Sequence, residues 1–348
     1  MSGNSNMKLS TDKDVKDFSP EQDRLYSATH EEILSGATAD VYLVRTQEIL
    51  AREGKADTIV TAEIFPSRPG ILAGMPECLH MLEGLPLEVW GLEEGESFEP
   101  KETVMRIRGP YSLFGLYETA LLGILASSSG WATRAAECKQ AANGLPFYCF
   151  GARHIHPAVA PVMERAAVVG GANGAACILG AKLAGQEPVG TIPHALVLIL
   201  DDTVKAAVAY NTHMPKDAPR TILVDTFKDE CEEALRVAEV LGTQMEGIRL
   251  DTPGERGGVT EDLVREIRAR LDMAGFSHVK IFVSGGLNPE KMTRLAEAGA
   301  DAFGVGSYIA AAPPINMTMD IKEIEGRPVA KRGRIPGVIH NPKLRRFM

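Results

Sequence analysis

The spacing of apolar residues changes twice along the chain, and each change marks a new kind of segment. Residues 1–28 are polar, alternate in charge and show no apolar period, which predicts a mobile tail. Ala39-Asp40-Val41-Tyr42 then leads into a helical pattern through Val44, Ile49 and Leu50. Residues 58–65 are rich in β-branched and apolar types and read as a strand, which Pro66-Ser67-Arg68-Pro69-Gly70 breaks. Residues 87–92 and 103–109 alternate in twos around an acidic turn, as half-buried antiparallel strands do. Residues 118–141 are rich in Ala and Leu and predict a long helix interrupted near Ser127-Ser128-Ser129-Gly130. Residues 29–145 therefore predict an N-terminal α+β domain.

From Pro146 the pattern becomes short apolar runs alternating with helical stretches, the mark of a parallel α/β domain over residues 146–312. The runs end in groups that can do chemistry. Residues 147–150 end at Gly151-Ala152-Arg153, 188–191 near His194, 221–224 at Asp225 and 247–250 at Asp251. Polar groups at successive carboxyl ends of parallel strands are where barrel active sites are built. Residues 315–335 alternate through Met317, Met319, Ile321 and Ile324 and predict strands returning to the N-terminal sheet. The basic segment 336–348 has no period and predicts an irregular tail.

The last two strand–turn pairs carry the most information. Val279 to Val283 ends in Ser284-Gly285-Gly286, Asn288-Pro289-Glu290 caps a helix, and residues 301–305 end in Gly306-Ser307. Glycines at strand ends let backbone N–H groups approach an anion, and a following helix adds its positive end. One such turn is a tight turn in a sheet. Two in succession, with Gly304, Gly306 and Ser307 in the second, favour a phosphate site. Arg153 has the planar fork that suits a carboxylate or phosphate, although an internal salt bridge would also explain it. Phe150 is placed to stack on a flat ring or to be plain core. Asp225 and Asp251 could each cap a helix, or together hold Mg²⁺ through water or bond ribose hydroxyls. Arg249 shares a strand face with Asp251. His194 lies where a strand meets a helix.

Composition narrows the classes. The chain has 348 residues and is 45% hydrophobic and 24% charged, enough to bury a sizeable core. Its net charge of −9 argues against nucleic acid as a partner. No long apolar run predicts a membrane span, and the polar N-terminus predicts no leader. The 5 cysteines are scattered without a C-x-x-C pair, which fits reduced thiols in the cytoplasm and gives no zinc signature.

In order and spacing, Ala39-Asp40-Val41-Tyr42, residues 109–122 (GPYSLFGLYETALL), Ser129-Gly130-Trp131-Ala132-Thr133, Phe150-Gly151-Ala152-Arg153 with His156-Pro157, and Gly190-Thr191-Ile192-Pro193-His194 form one set of motifs. Leu223-Val224-Asp225-Thr226, Ile248-Arg249-Leu250-Asp251-Thr252, Ser284-Gly285-Gly286 and Gly304-Val305-Gly306-Ser307 complete it. Over residues 35–335 the chain resembles the nicotinate phosphoribosyltransferases, especially their archaeal type. The resemblance implies a type II phosphoribosyltransferase: an open TIM-like α/β barrel with an N-terminal α+β domain that wraps a neighbouring subunit. It implies a homo-oligomer whose sites are shared. It implies transfer of phosphoribose from phosphoribosyl pyrophosphate to nicotinate with ATP hydrolysed alongside, Mg²⁺ as cofactor, and a place in NAD salvage.

The same resemblance implies roles for individual residues. Phe150 would stack on the pyridine, with Tyr42 of a second subunit on its other face. Thr191, Arg153 and Arg249 would contact nicotinate or the sugar phosphate. His194 would be the phosphorylated histidine, and Asp225 and Asp251 would orient the ribose and Mg²⁺-pyrophosphate. Gly285, Gly286, Gly304, Gly306 and Ser307, after Ser284, would hold the 5-phosphate. The chain lacks the cysteine-rich C-terminal segment of some archaeal relatives, so no structural zinc is expected. Two alternatives remain. A quinolinate phosphoribosyltransferase shares the fold and the segment 129–133, but that family meets a second carboxylate with more Arg and Lys than stands here, and has an arginine where Tyr117-Glu118-Thr119 lies. A non-catalytic barrel binding a phosphorylated ligand would leave His194, Asp225 and Asp251 without a reason to converge.

Overall fold

The computed structural model describes residues 8–348, which form two compact units: one contains residues up to 132 together with 313–348, the other is Thr133–Ala312. In the first unit, strands β1 (Ile59–Pro66), β3 (Glu88–Gly91) and β5 (Met105–Pro110) join β12 (Met317–Ile324), β13 (Arg327–Pro328) and β14 (Arg345–Arg346). They form a 6-stranded antiparallel sheet in the order β13-β12-β1-β5-β3-β14. A separate ribbon pairs β2 (Gly70–Ile71) with β4 (Ser97–Phe98). The strands expected from residues 58–65, 87–92 and 103–109 are β1, β3 and β5, and the returning strand expected after 315 is β12, paired antiparallel to β1. Every position of β1 after Ile59 is buried, which is why its run shows little alternation. Its one acid, Glu63, is fully buried and is paired with Arg106 at 2.7 Å.

Three expectations change here. Residues 8–28 hold a helix, Asp12–Asp17, started by a capping box on Thr11. Leu9 and Val15 pack against Leu43, Val44 and Leu116, so this segment is docked rather than a loose tail; residues 1–7 lie outside the described residues. The helix Glu118–Ala141 runs 24 residues without interruption. Its small residues serve packing, not a break: a Cβ on Gly130 would stand 2.6 Å from the Pro313 carbonyl oxygen. The C-terminal segment is also structured. Phe347 N–H donates to Val89 O at 2.8 Å, Asn341 Nδ2 donates to Thr103 O at 2.9 Å, and β14 adds a strand beside β3.

The second unit is a parallel α/β sheet. Strands β6 (Phe147–Cys149), β7 (Gly174–Ala175), β8 (Thr221–Leu223), β9 (Gly247–Leu250), β10 (Lys280–Val283) and β11 (Ala302–Val305) form a 6-stranded sheet in the order β7-β6-β11-β10-β9-β8. All its pairings are parallel, and the sheet stays open. Ile222, Ile248, Leu250, Ile281, Val283, Phe303 and Val305 are fully buried, and those two apart in a strand share a face, so one face of the sheet is core.

The strand expected at 188–191 is absent. Val189 N–H donates to Ala175 O at 2.9 Å, but Pro188 has no donor and Pro193 follows closely, so a ladder cannot extend. The segment is a loop leading into the helix His194–Leu200. β7 had no signal of its own, because its two residues are small and it pairs only with β6.

Candidate active site

The carboxyl ends of the parallel strands in the second unit carry almost every residue singled out above. Residue alternation puts Arg249 and Asp251 on one face of the chain leaving β9, and Arg249 is the hub. Its Nε donates to Ser284 Oγ at 2.8 Å, Nη1 to Thr191 Oγ1 at 2.9 Å and Nη2 to Asp251 Oδ2 at 2.9 Å. Ser284 Oγ in turn donates to Asp251 Oδ1 at 2.8 Å. Four expected residues from two strand ends and one loop thus close a single network, which is nearly buried. The guanidinium also lies 5.5 Å from the Phe150 ring centroid, and Phe150 stacks on Phe282 at 5.8 Å.

A second pair joins the loop after β8 to the first residue of the helix His194–Leu200. His194 Nε2 lies 3.2 Å from Asp225 Oδ2, with the imidazole 42% exposed and the Asp225 side chain at 0%. Burial pushes the Asp225 carboxyl above its ordinary range; His194 pulls it back in part and Asp251 pushes it up further. Asp225 Oδ1 is buried and has no hydrogen-bond partner. Asp251 is already taken by Arg249 and Ser284. Among the described residues, no group of three or more His, Cys, Asp or Glu could ligate a metal directly.

The glycine turns have distinct reasons to be glycine. Gly285 and Gly286 take φ of 90° and 59°, and a Cβ on Gly285 would approach Asp251 Oδ1 to 3.1 Å. Gly304 lies under an aromatic ring: a Cβ there would stand 2.7 Å from Phe150. Gly306 would meet the Phe150 carbonyl oxygen at 2.8 Å. The β11 turn therefore lets Phe150 sit close to the backbone, beyond any anion it could bind. Ser307 opens the short helix Ser307–Ala310.

Arg153 follows β6 in a single turn of 3-10 helix, Ala152–His154, and is exposed without a protein partner among the described residues. Tyr42 belongs to the first unit, on the helix Val41–Arg52, and is 55% exposed. Sequence reasoning missed Glu164. It is fully buried on the helix Ala160–Val169, accepts from the N–H groups of Gly151 at 2.9 Å, Ala152 at 3.0 Å and Cys177 at 2.5 Å, and so reaches two strand-end loops. A lone acid in the apolar run Ala-Pro-Val-Met-Glu-Arg-Ala-Ala-Val-Val was the available signal. Also unforeseen was Thr252, which donates to the buried Glu230 at 2.8 Å.

Comparison with known proteins places this geometry. Residues 40–129 match the quinolinate phosphoribosyl transferase N-terminal domain, and residues 131–320 match its C-terminal domain. The chain belongs to the quinolinate phosphoribosyl transferase family. Within that family it is similar to nicotinate-nucleotide pyrophosphorylase from Pyrococcus furiosus, whose crystal structure is 44% identical, with a TM-score of 0.86 over 91% of this chain and 82% of that one. It is also 31% identical over 249 residues to a nicotinate phosphoribosyltransferase of Mycobacterium tuberculosis, covering 69% of this chain and 52% of the relative. The chain thus spans about half the length of that curated relative, 52%. Human nicotinic acid phosphoribosyltransferase shares the fold, with a TM-score of 0.72 at 20% identity over 86% of this chain and 77% of that one. The type II phosphoribosyltransferase fold expected from the sequence is the fold of this family. Members are phosphoribosyltransferases of pyridine nucleotide biosynthesis. Among the described residues no helix is long and apolar enough to cross a membrane.

Proposed function

We propose that this member of the family is a nicotinate phosphoribosyltransferase, which joins nicotinate to phosphoribosyl pyrophosphate and releases nicotinate mononucleotide and pyrophosphate. The observation that carries the reading is the division of labour between two arginines. Arg249 spends its donors on Asp251, Ser284 and Thr191, whereas Arg153, three residues after Phe150 in the chain, is exposed with no protein partner among the described residues. One uncommitted guanidinium fork on the loop that follows an aromatic strand end suits a pyridine with one carboxylate.

Departure of pyrophosphate leaves positive charge on the ribose, so the chain's task is positioning and charge rather than proton transfer. Asp225 and Asp251 present negative charge to the developing cation. Phe150 holds the ring flat so that its nitrogen faces the sugar carbon, and Arg153 pairs with the ring carboxylate. Gly285, Gly286, Gly306 and Ser307 offer backbone and hydroxyl groups to the 5-phosphate, and Gly304 admits the ring of Phe150. Asp225, whose Oδ1 is buried without a hydrogen-bond partner, and Asp251 would hold Mg²⁺ through water. When bound, it would neutralise charge on the leaving group.

The reading extends to ATP and to assembly. An imidazole oriented by a buried carboxylate is a competent nucleophile near neutral pH, so His194 would accept the γ-phosphoryl of ATP and couple its hydrolysis to transfer. Tyr42, exposed on the first unit, would complete the pyridine slot of a second copy in a homodimer or larger homo-oligomer.

A second reading is quinolinate as substrate, with decarboxylation, and the domain matches and the 44% identical Pyrococcus structure support it. The experiment incubates purified protein with phosphoribosyl pyrophosphate and carboxyl-labelled nicotinate or quinolinate. Mononucleotide without labelled CO₂ is the expected result. Efficient CO₂ release from quinolinate would replace the first reading with the second.

A further inference from the structure

We propose that Glu164 is a positioning residue that sets where Phe150 and Arg153 stand, by tying the loop after β6 to the loop after β7 through one buried carboxylate. The inference rests on the reading of Phe150 and Arg153 as the pyridine clamp.

Three backbone donors from two loops converge on this side chain. Gly151 and Ala152 N–H donate to Oε1 at 2.9 and 3.0 Å, and Cys177 N–H donates to Oε2 at 2.5 Å. Gly151 directly follows Phe150, and Ala152 directly precedes Arg153. The carboxylate therefore grips the chain between the stacking ring and the free guanidinium. Such a gathering of amides is what a carboxylate does best and an amide side chain does poorly, because an NH₂ would face an N–H.

Packing makes the grip stiff. A Cβ on Gly151 would stand 2.6 Å from Met163 Cε, and a Cβ on Gly180 would stand 3.2 Å from Glu164 Cβ. The helix carrying Glu164 is thus close-packed against Gly151 of the first loop and against the helix Ile178–Leu183 that follows the second. Glu164 itself is fully buried, so it touches no substrate and acts only through the two loops. A shift of about 1 Å in a substrate-positioning group can cost about a hundredfold in rate.

The test is steady-state kinetics of Glu164→Gln, Arg153→Ala and the double variant, using whichever pyridine acid the unaltered enzyme prefers. Glu164→Gln is expected to raise the KM for that acid about tenfold or more, while the KM for phosphoribosyl pyrophosphate stays within about twofold. The double variant is expected to be no worse than Arg153→Ala, because both act on one contact, and Glu164→Asp should recover part of the loss. A folded Glu164→Gln enzyme with an unchanged KM for the acid, or with both KM values raised alike, overturns the proposal. If Glu164→Gln does not fold, amide exchange in the unaltered enzyme decides. Joint protection of residues 149–154 and 174–178 when the acid binds supports the tie, and protection of one segment alone contradicts it. A preference for quinolinate would overturn the function proposed above while leaving this test intact.

Discussion

His194 Nε2 and Asp225 Oδ2 lie 3.2 Å apart, so an exposed imidazole is oriented by a carboxylate that solvent does not reach. If this pair carries phosphoryl from ATP, His194→Ala should abolish ATP hydrolysis and ATP stimulation. It should keep a slow, ATP-independent transfer, because the Arg249 network and the glycine turns are untouched. ATP turnover and transfer measured on one preparation check this. A folded His194→Ala enzyme with full ATP stimulation would leave the histidine a structural role.

Asp225 makes a prediction about pH. Its carboxyl is raised above the ordinary range chiefly by burial, so the fold favours the protonated form. The stability this contributes is present below the ordinary carboxylate range and is lost as pH rises through the raised value. Asp225→Asn should then melt at or above the unaltered protein near pH 8, by about 1–3 kcal/mol at most, and lose that advantage towards pH 4. Transfer should fall by about two decades or more. A variant that is less stable at pH 8 than the unaltered protein would show that the buried charge is compensated in the free enzyme.

Gly304 separates ring placement from phosphate binding. A methyl group there would enter the Phe150 ring at 2.7 Å, so Gly304→Ala must displace the ring. The expected outcome is a loss of about 1–3 kcal/mol in stability and a rise in the KM of the pyridine acid larger than that of phosphoribosyl pyrophosphate. The reverse order of KM changes would assign Gly304 to the phosphate instead.

Tyr42 tests assembly. If it completes a neighbour's site, mixing inactive Tyr42→Ala and Asp251→Ala chains should restore activity in hybrid sites that keep both residues. Absence of recovery after verified subunit exchange would mean that each site is built within one chain.

What the sequence revealed depended on how local the cause was. Asp225, Asp251 and the Ser284-Gly285-Gly286 turn were legible because each ends a short apolar strand, and strand ends are local features. The partnership of Arg249 with Thr191 was not, since it spans 58 residues and a loop that imitates a strand until Pro188 and Pro193 are weighed. Ser127 to Gly130 looked like a helix break because propensity favours one, whereas close approach to the Pro313 carbonyl oxygen made glycine necessary at 130. Glu164 was hidden because a carboxylate inside an apolar helix has no local partner; its donors come from two distant turns. The strand Arg345–Arg346 was hidden for a similar reason, being a charged edge recognised only by its pairing with Trp90 and Gly91.

In the proposed site one free guanidinium, that of Arg153, faces one ring carboxylate. The most direct measurement is the ratio of kcat/KM for nicotinate to that for quinolinate and for nicotinamide, with phosphoribosyl pyrophosphate and ATP saturating. A lost charge-assisted contact is worth about 1.5–3 kcal/mol, so nicotinate should exceed nicotinamide by about one to two decades, and Arg153→Ala should shrink that ratio. Nicotinate should also exceed quinolinate. Equal values for acid and amide, or a preference for quinolinate, would contradict that pairing.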